Sequence, residues 1–187
     1  FIQGYYNFKE EDMVPLSRRE VVSRRMNRGE TAPFIIKLNN KTVPFIEVDI
    51  NFSLDYLPNS DEVLLQHMLN GTSIYISDFL GTVKSLNVDD FFLQLILHQY
   101  KESVLYSMVK RNKDVQIYKF LDIYLFIKRN YISLKEIYKI AEKYNILIPL
   151  LSVIKDLEEL FSNISCELND SIKSNNVNIA KRIIDFD

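Results

Sequence analysis

Two carboxylates spaced two residues apart in an apolar run are the first groups in this chain that could do chemistry. In Val43-Pro44-Phe45-Ile46-Glu47-Val48-Asp49-Ile50-Asn51-Phe52 the alternation is that of an extended strand, whose side chains point to opposite faces in turn. Glu47, Asp49 and Asn51 then share one face, and Ile46, Val48, Ile50 and Phe52 the other. Neighbouring carboxylates on one face repel each other unless water, a cation or a basic side chain lies between them. Two readings follow: a solvated face of an edge strand, or a pair of oxygen ligands for a divalent cation.

Basic groups that could meet an anion occur at two other places. Arg18, Arg19, Arg24, Arg25 and Arg28 crowd a short helix that Ser17-Arg18-Arg19-Glu20 opens as a capping box and that Gly29 would close. This cluster is either a solvated face or a clamp that grips phosphates through bidentate hydrogen bonds. Lys119 and Asp122 interrupt an apolar helix at i, i+3. They form either an intrahelical ion pair on the polar stripe with Gln116, or a Lys119 aimed at a triphosphate with Asp122 orienting it.

The chain has two histidines. His98 follows Phe91 and Leu95 at i, i+4 and i+7, on or beside a core-facing stripe, where a satisfied core histidine is the ordinary outcome. His67 falls in a helix expected over 60–69 and reads as an exposed helical residue. These two imidazoles at unrelated positions and the single Cys166 do not build a zinc site or an intrachain disulfide. A nucleophile elbow, a P-loop, a His-Glu-x-x-His motif and a dinucleotide fingerprint are all absent.

The elements that must position these groups change character along the chain. Residues 32–38 and 43–52 are β-rich runs joined by Asn39-Asn40-Lys41-Thr42, which predicts an antiparallel hairpin. From Asn87 onward the period is helical. Asn87 is an N-cap with Asp89 and Asp90 in the first turn. The segment 115–129 is apolar nearly all round, so the helix carrying Leu121 and Tyr124 is expected to be the most buried. Ser133-Leu134-Lys135-Glu136 is a second capping box, and Asn145 stops its helix. Pro149 then stands in the first turn of a helix that packs Leu150, Val153, Ile154, Leu157, Leu160 and Phe161. A polar link over 162–175 leads to a short helix over 176–186. The fold class is α+β: a small mixed or antiparallel sheet packed on a C-terminal helical bundle, divided into an α/β module over 1–86 and a bundle over 87–187.

The acidic run, followed by Phe52-Ser53-Leu54, resembles the third-acid strand of the DNA polymerase β-like nucleotidyltransferase superfamily, and more narrowly a bacterial nucleotidyltransferase-like group. The likeness continues through Phe91-Phe92-Leu93-Gln94-Leu95-Ile96-Leu97-His98 and Tyr118-Lys119-Phe120-Leu121-Asp122-Ile123, so it covers roughly residues 32–161. It implies a partial nucleotidyltransferase fold in the first module and transfer of an NMP group from an Mg2+-bound NTP, such as ATP, to a small-molecule, peptide or protein acceptor. Asp49, and after it Glu47, would be the metal-side carboxylates; Lys119, His98, Arg24 and Arg25 would bind the nucleotide. The family's earlier motif, a Gly-Ser turn followed at some distance by an Asp-x-Asp or Asp-x-Glu strand, does not occur ahead of the acidic run in this sequence. With Phe1 at its start, the chain reads as a C-terminal portion of something longer, inactive alone. A non-catalytic interaction module that keeps the fold without the full set of acids is the alternative.

Composition bounds the rest. The 187 residues, 47% hydrophobic and 12% aromatic, with four Gly and five Pro, are those of a folded chain that buries about 70% of its unfolded surface. A net charge of −2 gives no general attraction to nucleic acid. Lone Cys166 and the lack of a long apolar run predict a cytoplasmic protein without a membrane partner.

Overall fold

A computed structural model describes residues 1–28, 31–54, 62–79 and 81–161. It is a mixed α+β structure in which the chain forms two compact units, Phe1–Ser60 and Asp61–Asp187.

The first unit contains β1 (Ile2–Asn7), β2 (Asp12–Pro15), α1 (Arg18–Arg28), β3 (Phe34–Lys37) and β4 (Phe45–Val48). The strands form an antiparallel sheet in the order β2-β1-β3-β4. The predicted hairpin is the β3–β4 pair, in which Phe34 faces Val48, Ile35 faces Glu47 and Lys37 faces Phe45. Gly4 marks the tightest point of the sheet: a Cβ there would stand 2.2 Å from the Val14 carbonyl oxygen, a distance no side chain tolerates. Ala32 and Ile35 are fully buried. Tyr6 stacks on Phe45 with ring centroids 4.6 Å apart, and Phe8 closes edge-on against both. The Ser17 capping box forms as expected. Ser17 Oγ and the Ser17 N–H donate to Glu20 Oε2 at 2.6 and 2.9 Å, and the Glu20 N–H donates back to Ser17 Oγ at 3.3 Å.

The second unit begins with α2 (Glu62–Asn70) and the hairpin β5 (Ser73–Ser77) and β6 (Gly81–Ser85), whose turn uses the positive φ of Gly81. Five helices follow: α3 (Val88–Val104), α4 (Tyr106–Val109), α5 (Ile117–Lys128), α6 (Leu134–Lys143) and α7 (Leu147–Leu160) complete the described part of the unit. Polar ties join the end of α2 to the start of α3: Asn87 Nδ2 donates to the Gly71 carbonyl at 3.2 Å, and His67 Nε2 lies 3.7 Å from Asp90 Oδ1.

The core of this unit is built on α3 and α7. Phe92, Leu93, Ile96 and Val104 of α3 are buried, as are Leu150, Val153, Ile154 and Leu157 of α7. Each such side chain contributes about 1.5–3 kcal/mol relative to exposure. The expectation that the 115–129 helix is the most buried is corrected: in α5 only Phe120 and Ile123 are buried, and Leu121 is 41% exposed. An apolar circumference records composition, whereas burial requires neighbours on every side, and α5 packs mainly on α3. The second capping box marks the start of its helix, but neither of its two side-chain bonds is seen among the described residues. Ser133 is the N-cap of α6 but its side chain makes no cap bond, and Glu136 instead accepts from Lys139 Nζ at 2.7 Å. Asn145 ends that helix in the left-handed region, with φ 56°. Gly29, Cys166 and the expected tail elements over 162–186 lie outside the described residues.

Candidate functional site

The acidic run is split by the end of its strand. Glu47 is the third residue of β4, exposed, on the sheet face it shares with Ile35 and Phe45. Asp49 is also exposed but stands just beyond the strand. Its flank is fixed by the Thr31 N–H donating to the Ile50 carbonyl at 2.8 Å and the Ile50 N–H donating to Thr31 Oγ1 at 3.2 Å. The apolar set opposite is not a buried face. Ile46 and Val48 are 46% and 43% exposed, because β4 is an edge strand and its register with β3 sets them on the face opposite Ile35.

Of the arginine cluster, Arg24 is half-buried on α1; the side chain of Arg25 lies outside the described residues. Glu20, one turn before Arg24, is held below the usual carboxylate range first by the Ser17 hydroxyl and backbone bonds and then, more weakly, by the Arg24 charge. Across the sheet, Asp12 at the start of β2 accepts from Lys37 Nζ of β3 at 3.1 Å. Its carboxyl is lowered by the Met13 N–H and next by Lys37.

Lys119 and His98, placed apart by sequence reasoning, meet on one acid. Lys119 Nζ of α5 donates to Glu102 Oε2, and His98 Nε2 lies 3.4 Å from Glu102 Oε1 one turn earlier on α3. Glu102 is buried. Burial pushes its carboxyl up, but the hydrogen bonds and charges of His98 and Lys119 outweigh that and hold it below the ordinary glutamate value. The expected Lys119–Asp122 partnership is thus replaced by a bond between helices, since Glu102 offers Lys119 a desolvated acceptor and Asp122 is exposed. His98 is half-exposed at the rim of this cluster and is not a core histidine.

A second cluster went unread in the sequence. Asp90, expected in the first turn of its helix, stands there and is buried. Its N–H donates to Asn87 Oδ1 at 2.8 Å, and Asn87 Nδ2 donates to Asp90 Oδ2 at 2.7 Å. His67 completes the cluster and rests its ring 5.0 Å from that of Tyr144 on α6. Asp89 beside it is raised above the ordinary aspartate value, first by burial and then by the charges of Asp90 and Glu136. The signal available in the sequence was the Asn-x-x-Asp spacing of an N-cap whose fourth residue can bond back to the cap; nothing local signalled His67.

Among the described residues no three His, Cys, Asp or Glu side chains gather as a metal-holding group. In kind, Glu47 and Asp49 are the donors that Mg2+ takes, since this ion uses one or two carboxylates and fills its remaining positions with water and phosphate oxygens. Among the described residues no helix is long and apolar enough to cross a membrane. Compared with protein-family models, curated proteins and solved structures, the chain has no match.

Proposed function

We propose that this chain is the C-terminal part of a nucleotidyltransferase-like protein that moves an NMP group from an NTP to a small-molecule, peptide or protein acceptor. The observation that supports the reading is the exposed pair Glu47 and Asp49 at the end of an antiparallel edge strand, the segment that carries the family resemblance. Glu47 and Asp49 would hold Mg2+, which when bound supplies positive charge against the triphosphate. Asp49 accepts the proton of the acceptor hydroxyl at a carboxylate oxygen, which is the work of a general base. Arg24 offers a guanidinium to phosphate oxygens. Arg25 belongs to the same proposal by its position in the sequence.

A second reading has its own support. Lys119 and His98 are both engaged by Glu102, Lys119 from α5 and His98 from the same helix as the acid, so two of the groups expected to grip a triphosphate are taken up by a buried carboxylate. That is the condition of an interaction module that keeps the fold without catalysis.

Titration calorimetry of the chain with ATP, GTP, CTP and UTP, with and without Mg2+, separates the two. Mg2+-dependent binding that Asp49→Asn weakens at least tenfold supports the transferase reading. Binding untouched by Asp49→Asn and Glu47→Gln overturns it. In a longer protein carrying an upstream Asp-x-Asp strand, Asp49→Asn should abolish label transfer from α-labelled NTP while the thermal melt stays in place.

A further inference from the structure

The second unit has a groove of about 390 Å³ lined by α3, α5, α7 and the segment before α5. Its floor and sides are apolar through Val115, Ile117, Phe120 and Leu160, and its charged lining is Asp114, Asp156 and Glu159. Among the described residues no lysine, arginine or histidine lines it. Asp156, Glu159 and Leu160 stand at i, i+3 and i+4 of α7, which places two acids and one apolar side chain on one stripe. Asp114 is fixed at the other side through its carbonyl, which accepts from the buried Gln99 Nε2 at 2.9 Å.

The apolar surface extends beyond the groove. Ile117 is 63% exposed, and Tyr118 and Leu121 on the same helix are also exposed. Exposed apolar side chains beside a groove mark a site for another molecule, and Asp114 and Glu159 in its lining select the sign of its charge. The walls are helices, so added-strand pairing is not available here; the fitting mode is a helix laid into a groove.

We infer that this groove docks a cationic amphipathic helix of a partner polypeptide, its apolar stripe against Val115, Ile117 and Leu160 and its flanking lysines or arginines against Asp114 and Glu159. The volume admits a few anchoring side chains of such a helix and not a whole folded surface. The inference is independent of Glu47 and Asp49 and of any transferase activity.

The test is fluorescence anisotropy of the full chain with a labelled Leu/Lys amphipathic peptide of about four helical turns. A scrambled peptide of the same composition and a Leu/Glu counterpart serve as comparisons. The expected result is saturable binding of the Leu/Lys helix, at least tenfold weaker binding of the scrambled peptide, and none of the Leu/Glu peptide. Ile117→Ser and Glu159→Lys, both at exposed positions, should each weaken binding roughly tenfold with the thermal melt unmoved; Val115→Ser is the second apolar variant should Ile117→Ser fold poorly. Equal affinity for the scrambled peptide reduces the site to bulk charge and overturns the proposal, as does binding indifferent to these variants. Concentration-dependent dimerisation of the chain, abolished by Ile117→Ser, assigns the face to a second copy. Binding that emerges only in Lys181→Glu/Arg182→Glu assigns it to the chain's own C-terminal segment. Either assignment also overturns it.

Discussion

His67 of α2 and Asp90 of α3 stand 3.7 Å apart, the acid buried to 1% exposure and the imidazole open to water on one side. With Asn87 bonding both the same acid and the Gly71 carbonyl, they tie the helix that begins the second unit to its central helix. Asp90→Ala should therefore destabilise by about 1–3 kcal/mol, the cost of leaving buried polar partners unmet. Denaturant melting measures it, and hydrogen exchange should show the loss in α2 first. A change confined to a few tenths would make the tie incidental.

Glu102 gives the chain an acid-sensitive bond. Its folded pKa is depressed, so its contribution is fully present above the unfolded glutamate value and is lost as pH falls through the folded one. Asp89 works in the opposite sense: its pKa is raised, so the fold gains as pH falls through the range between the unfolded and folded values. Thermal melts from neutral to acidic pH should show Glu102→Gln less stable than the parent at neutrality by about 1–3 kcal/mol, with the gap closing in acid. A constant gap would contradict the assignment.

Exposure ranks the helices of the second unit. Ile154→Ala, at a fully buried site on α7, should cost about 2–5 kcal/mol. Leu121→Ala, on the exposed side of α5, should cost under about 1 kcal/mol, in the range of ordinary surface changes. Equal losses would place Leu121 in a core that the structure does not give it.

The first unit has a sensor in its capping box. Glu20→Ala removes the acceptor for the Ser17 hydroxyl and N–H, and Ser17→Ala removes the acceptor for the Glu20 N–H. Ser17→Ala should cost about 0.5–2 kcal/mol, and Glu20→Ala should lower stability in the same direction. Because the two act as one motif, the double variant should cost less than the sum, measured by a double-mutant cycle.

Local signals were legible where the residues that form a feature are near neighbours. The Ser17–Glu20 box, the Asn87 cap, the Asn145 stop and the hairpin around Asn39–Thr42 each involve a few consecutive positions, and each is present. The hairpin of β5 and β6 was also written locally, in Ser73-Ile74-Tyr75-Ile76-Ser77 and Gly81-Thr82-Val83-Lys84-Ser85, but reading the stretch as a boundary hid its alternation. What could not be read is tertiary. Lys119 had a sequence neighbour in Asp122 and chose a distant glutamate, and α5 carried the apolar pattern of a central helix without the neighbours to bury it. Of the candidate site, period two put Glu47 and Asp49 on one face in the sequence; where the strand ends, after Val48, and the exposure of the apolar residues beside them depended on the sheet.

The place of β4 at the margin of its sheet has a colloidal consequence. An edge that presents Ile46 and Val48 to water is a template for pairing with the same edge of another molecule, and the charge of Glu47 is the side-chain feature of that strand which resists it. The carboxylate proposed for catalysis thus also acts as a gatekeeper. Neutralising Glu47 should make the chain aggregate earlier on heating than neutralising Asp49, which stands beyond the strand's end.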